Sequence, residues 1–218
     1  SPYAQKVKIA LREKGIAFEV RMPEGIGAGH TKGEFADANP RREVPALIDG
    51  DTAIFDSTII LDYIDDKWPE PLLMPNVPED RARMRQIEDV MDTHFEAITW
   101  GLGELHFFKR GNDTLRKTIE AHAARQIAGF MAWLENELGD NNWFSGREFG
   151  RGDLSVIPYL NAADGFGYKP AEGSPIATWI VRANARESVS QTDAESRASI
   201  TGMQMVSAAV ESGLFKRQ

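Results

Sequence analysis

The sequence predicts a small α/β unit over the first 72 residues followed by an all-helical unit. Three observations predict this. The first 68 residues run in the order helix, strand, loop, hairpin, helix; residues 69–78 hold four prolines; and beyond Pro78 the apolar residues recur at helical spacing, with nothing that reads as strand. A chain of 218 residues with 42% hydrophobic content can bury a substantial core and fits two domains.

In chain order, Val7, Ile9, Ala10 and Leu11 mix with Lys6, Lys8, Arg12 and Lys14 between Pro2 and Gly15, the pattern of a helix with a glycine stop. Phe18, Val20 and Met22 alternate with Glu19 and Arg21 and predict a half-buried strand. Gly25 to Gly33 reads as a loop that carries a short helix into Ala38. Val44 to Ile48 and Thr52 to Phe55 flank Asp49-Gly50-Asp51, a hairpin signal. Ile60, Leu61, Ile64 and Trp68 then fall at helical spacing, with Ser57 placed as N-cap and Pro69 closing the helix. The prolines around residues 73–78 predict an inter-domain linker, leaving 79–218 as the helical domain. Within it, Arg81 to Lys109, Asp113 to Leu138, Asp153 to Ala163, Ile176 to Ala185 and Ser199 to Ser212 are the helical patterns.

Composition narrows the function. Lys plus Arg number 25 against 33 Asp plus Glu, a net charge of -8 that disfavours nucleic acid as partner. No apolar run reaches the roughly 20 residues of a membrane span, so neither membrane nor signal segment is expected. The absence of cysteine removes disulfides, zinc-thiolate sites and a cysteine nucleophile, so thiol chemistry requires a thiol carried by a ligand. His30, His94, His106 and His122 share no ligand spacing, and no metal site is expected.

Two stretches are recognisable: Asn39-Pro40-Arg41-Arg42-Glu43-Val44-Pro45-Ala46-Leu47, and Phe55-Asp56-Ser57-Thr58-Ile59-Ile60. Together they resemble the glutathione site of the cytosolic glutathione transferases. The opening Ser1-Pro2-Tyr3-Ala4-Gln5-Lys6-Val7-Lys8-Ile9-Ala10-Leu11, with Glu13-Lys14-Gly15-Ile16, resembles the catalytic-serine helix of the zeta and tau classes, and a bacterial member is expected. Trp143-Phe144-Ser145-Gly146 through Gly150-Arg151-Gly152-Asp153 is similar to the family's capping segment before its core helix, where Asp153 reads as the N3 acid of a capping box with glycine at the cap. The resemblance implies a thioredoxin-like domain followed by an all-α domain, in a cytoplasmic homodimer that uses glutathione for detoxification. It also implies a first strand before Ser1, so residues preceding Ser1 are expected to have been left out.

The resemblance assigns roles residue by residue. Ser1, at a helix N-terminus, would donate a hydrogen bond to the glutathione thiolate, where the helix dipole also favours negative charge. Its simpler role is a helix cap, and as the first residue it also raises an N-terminal nucleophile mechanism. Pro45 would follow a cis peptide bond, with the Val44 backbone pairing to the cysteinyl unit as an added strand does; the plainer role for Pro45 is an edge-strand proline. Asp56 and Ser57 would receive the γ-glutamyl ammonium and carboxylate. The family commonly has Lys or Gln where this chain has Glu43, which puts a carboxylate near the glycyl end; Arg41 or Arg42 would supply the missing cation, and Arg42 is the choice here. The electrophile pocket between the domains would draw on Trp100, His106 and Phe107, although aromatics at helical spacing are more often core. Arg81, Arg83 and Arg85 lie where subunit contacts of the family fall.

The reaction implied is addition of glutathione thiolate to a small hydrophobic electrophile, or a related lyase, dehalogenase, isomerase, ether-cleaving or peroxide-reducing variant. Thiol-disulfide exchange of the omega or glutaredoxin kind needs an active-site cysteine. The competing expectation is a non-catalytic relative that binds a ligand or protein partner, for which Glu43 and the missing strand speak. A two-domain scaffold with unrelated chemistry has no motif in its favour.

Overall fold

The computed structural model describes residues 1–23 and 31–211, with side chains through residue 199. Residues 24–30, which include most of the glycine-rich loop and His30, and residues 212–218 lie outside the described residues.

The first helix, α1 (Pro2–Glu13), has Ser1 at its N-cap and Pro2 in its first turn, where the missing N–H of proline costs nothing. It ends as the glycine stop predicts: Gly15 takes a φ of 64°, and its N–H and that of Ile16 return to the Arg12 and Leu11 carbonyls at 3.0 and 2.9 Å. After the short α2 (Glu34–Ala38), strands β1 (Ala46–Asp49) and β2 (Thr52–Phe55) pair antiparallel, Ala46 opposite Phe55 and Asp49 opposite Thr52. Gly50 and Asp51 form the two-residue connection, with Gly50 at φ 60°. Helix α3 (Ser57–Lys67) follows, and its Tyr63 hydroxyl donates to Asp49 at 2.7 Å, tying helix to hairpin.

Two expectations change here. Phe18, Val20 and Met22 do not form a strand: the only ladder among the described residues is β1 with β2, and without a neighbouring strand alternation cannot become sheet. Val20 and Met22 are instead 53% and 68% exposed. The N-cap of α3 is Asp56 rather than Ser57; the Asp56 carboxylate accepts from the Thr58 N–H at 3.0 Å from a residue at φ 74°, which leaves Ser57 buried in the first turn.

The helical half departs from expectation at two points. Arg81 to Lys109 is not one α-helix but α4 (Pro78–Asp89), a π-helical turn over Val90–Phe95, and α5 (Glu96–His106) in unbroken succession. Then come α6 (Asp113–Leu138), capped by the Asn112 side chain, α7 (Arg151–Gly165), α8 (Pro175–Asn184) and α9 (Glu187–Glu211), the last beginning well before Ser199. Every residue from Arg151 to Leu160 is buried, and α7 packs against α1, α4, the π turn, α5 and α8, which makes it the core helix. One continuous core joins both halves: Ile9, Ile60 and Ile64 from the first pack into a cluster with Met84, Ile87, Met91, Tyr159 and Trp179 from the second.

Asp153 anchors the start of α7 as the capping-box pattern predicts. Its fully buried carboxylate accepts from the N–H groups of Gly150 (3.1 Å), Phe144 (2.8 Å) and Ser145 (3.2 Å), and from the Trp179 indole at 2.9 Å. Gly150 packs so closely that a Cβ there would sit 2.6 Å from the Leu73 carbonyl oxygen. Asp153→Ala therefore strands several buried donors and should lower stability by about 3 kcal/mol in urea unfolding; Gly150→Ala forces backbone apart and should cost about 2 kcal/mol in the same measurement.

Candidate functional site

The N-termini of α1 and α3 are held by a buried ionic cluster. Lys6 is fully buried on the inner face of α1 and reaches Glu88 at 2.9 Å and Asp92 at 2.6 Å, in α4 and the π turn. From α7, Arg151 reaches Glu88 at 2.8 Å and Asp62 at 3.1 Å. Thr58, in the first turn of α3, donates its hydroxyl to Glu88 at 3.1 Å, and its carbonyl accepts from Arg151 at 3.1 Å. Tyr159 donates to the Asp92 carboxylate at 2.6 Å, and Tyr3 donates to the Asp92 carbonyl at 2.6 Å, the two rings meeting edge to face at 5.9 Å.

The charges sort themselves by partner number. Burial works against ionised Glu88, but Lys6 and Arg151 outweigh it and hold the carboxyl below its ordinary range. Burial pushes Asp92 up, opposed by Lys6 and the Tyr159 hydroxyl.

On this frame the sequence-predicted site residues fall as follows. Ser1 is exposed at the start of α1, and its hydroxyl makes no cap bond to the helix. The Val44-Pro45 bond is cis, and Val44 lies outside the β ladder, with its N–H and carbonyl engaged by no described residue. Asp56 and Ser57 open α3 immediately before the Thr58 anchor. Glu43 does not stand alone: Arg41 bridges it at 2.7 Å and Asp56 at 3.1 Å, so Arg41 is spent on neutralising two carboxylates. Arg42 is exposed at φ 55° with no ion pair among the described residues. The Glu43 charge reaches Tyr3, which places the Glu43-Val44-Pro45 loop within electrostatic range of the α1 N-terminus.

The three aromatic candidates separate. Trp100 is 61% exposed on α5. His106 and Phe107, at the far end of that helix, pack on Phe166 with ring centroids 5.7 and 5.5 Å away, and His106 meets Glu120 at 3.1 Å. Ten residues of helix from Glu96 amount to about 15 Å, so these two are not brought to Ser1. No cluster of three His or acidic side chains that could hold a metal occurs among the described residues, and no described helix is long and apolar enough to cross a membrane.

Sequence reasoning passed over Lys6, Glu88, Asp92, Arg151 and Tyr159. A signal was present: Lys6 lies three and four residues before the buried Ile9 and Ala10, and Glu88 and Asp92 fall within the apolar stripe of Met84, Ile87, Met91 and Phe95. Charged residues on an inward stripe imply a buried pairing.

The first 72 residues match the family model for the glutathione S-transferase N-terminal domain. The chain is 31% identical over 204 residues to glutathione S-transferase U28 of Arabidopsis thaliana, covering 90% of this chain and 86% of that protein. It is also 31% identical over 158 residues to the stringent starvation protein A homolog of Coxiella burnetii, covering 72% and 69%. Rice GST1 (OsGSTU1), solved in complex with glutathione, matches with a TM-score of 0.72 at 26% identity over 88% of this chain and 86% of that one. A thioredoxin-like half joined to a helical half is the glutathione transferase fold. The chain belongs to the glutathione S-transferase family.

Removing Lys6 leaves Asp92 without its cation in the interior. Lys6→Met should cost about 3 kcal/mol in urea unfolding, and adding Asp92→Leu should recover part of the loss. Because the folded pKa of Glu88 lies below its ordinary 4.5, its stabilising contribution is present above that pH and disappears on acidification through the folded value. Stability measured from pH 6 downward should therefore fall less steeply in Glu88→Gln than in the wild type.

Proposed function

We propose that this protein binds glutathione against residues 1–72, ionises its thiol beside Ser1, and adds the thiolate to a small hydrophobic electrophile held against residues 79–218. The observation that carries this reading is the uncommitted Ser1 hydroxyl at the N-terminus of α1, an O–H donor in the positive end of a helix field. Val44 offers a free backbone N–H and carbonyl to the cysteinyl unit. Asp56 receives the γ-glutamyl ammonium, and the Ser57 N–H and hydroxyl its carboxylate. Arg42 serves the glycyl carboxylate, since Arg41 already balances Glu43.

The chemistry needs little more: a bound thiolate stabilised by Ser1 and held near the electrophile gains from proximity and from a preset donor. Rice GST1 in complex with glutathione, similar over most of its length, supports glutathione as the co-substrate. Function as a cytoplasmic, detoxifying homodimer belongs to the same proposal. Arg83 is already taken by Glu137 at 3.0 Å and the Phe144 carbonyl at 3.2 Å, and Arg81 donates to the Pro75 carbonyl at 3.2 Å, so Arg85, beside a cavity of about 140 Å³ with Asp62, Asp65 and Asp66, is the best placed of the three for a partner subunit.

A non-catalytic binding role is the second reading, favoured by Glu43, a carboxylate where the glycyl end of glutathione would lie. Calorimetric titration with glutathione decides between them. Binding at micromolar to low millimolar Kd, with Ser1→Ala lowering kcat/KM for a chloro-aromatic acceptor about 100-fold, is the expected outcome. No binding at about 10 mM glutathione would put the binding role first.

A further inference from the structure

Glu96 is not used by the reaction proposed above, yet it stands beside it. It occupies the first turn of α5, directly after the π turn, and one of its carboxylate oxygens accepts from the Thr99 hydroxyl at 2.9 Å. The Tyr3 hydroxyl is pinned to the Asp92 carbonyl, one turn earlier, so the start of α1 is fixed alongside this part of the helix. The Glu96 charge is felt at Tyr3, in the first turn of α1. Four residues on, the exposed Trp100 shares the same face of α5. A carboxyl group and an indole thus share one face of α5, one turn beyond the point where the start of α1 is pinned.

The surroundings favour the protonated form. Burial is the main cause, with the Asp92 charge adding to it, and together they push the carboxyl up to about 7 against the Thr99 hydroxyl. Tyr3 from α1 and Tyr159 from α7 also face it, and both phenols are held protonated well above their ordinary range.

We propose that Glu96 is a catalytic acid specific for electrophiles whose reacting carbon is conjugated to a carbonyl, the ring or chain of the substrate lying on Trp100. This rests on the glutathione reading. The sulfur lone pair forms a C–S bond at the β-carbon, the C=C pair shifts to give an enolate, and the Glu96 O–H delivers its proton to that enolate. The carboxylate left behind takes a proton from water, the thiol proton having gone to solvent earlier, and nothing is oxidised or reduced. Substitution on a chloro-aromatic instead expels chloride and draws no proton from the enzyme, so it reports on the thiolate alone.

The test compares Glu96→Gln with wild type on an aryl enone and a chloro-nitrobenzene at saturating glutathione. Glutamine keeps the size and a hydrogen-bond donor but has no proton to give. The ratio of enone to chloro-aromatic kcat should fall about 100-fold in the variant. In the wild type the enone rate should decline as pH rises through about 7, a limb absent from the chloro-aromatic rate and from the variant. An unchanged ratio, or a wild-type enzyme that turns over the chloro-aromatic but not the enone, overturns the role of Glu96 alone. Absence of calorimetric glutathione binding in the wild type overturns the glutathione reading and this one with it.

Discussion

Two carboxylates one turn apart, Glu88 and Asp92, lie in the interior, and each needs a cation from another element to stay there. Lys6 comes from α1 and Arg151 from α7, while Thr58 reaches in from α3. Ionised groups out of water are tolerated only when paired with good geometry, so the three elements are bound to one arrangement. Ser1 begins the helix that carries Lys6, and Asp56 and Ser57 stand next to Thr58. The cluster therefore sets where both helix N-termini point, and these are the groups proposed to meet the thiol and the γ-glutamyl end of one ligand. Positioning of this kind is what catalysis by a preset donor requires.

The π turn belongs to the same arrangement. It falls between Glu88 and Glu96, carries Asp92, and offers the Asp92 carbonyl to Tyr3 while the Asp92 side chain serves Lys6 and Tyr159. One residue thus fixes the start of α1 through its backbone and the middle of α1 through its side chain. By contrast, the pairs around Arg41, Glu43 and Asp56 are largely exposed and contribute little stability. Their effect is on local charge: they offset the carboxylate that would otherwise oppose an anionic ligand.

The parts of this molecule that local rules control were legible in the sequence. Gly15 ends α1, Asp49-Gly50-Asp51 turns the hairpin, and Asp153 anchors α7 because glycine, turn and capping preferences act over a few residues. Most of what differed needed longer-range information. Alternation at Phe18 to Met22 is a strand only beside a partner, and none occurs among the described residues. The choice between Asp56 and Ser57 as cap turned on a positive φ that either short polar residue can support. Lys6, the Glu88 and Asp92 pair, and Arg151 with Tyr159 come from three separate segments, and only the fold reveals that they meet.

The buried cluster places the ends of α1 and α3 that are proposed to face glutathione. The most direct measurement is the ultraviolet titration of the glutathione thiolate bound to Glu88→Gln, with its Kd, against the wild type. The expected result is a Kd raised about tenfold or more and a bound-thiol pKa moved toward that of free glutathione, with far-ultraviolet circular dichroism unaltered. Equal Kd and equal thiol pKa in the two proteins would contradict it.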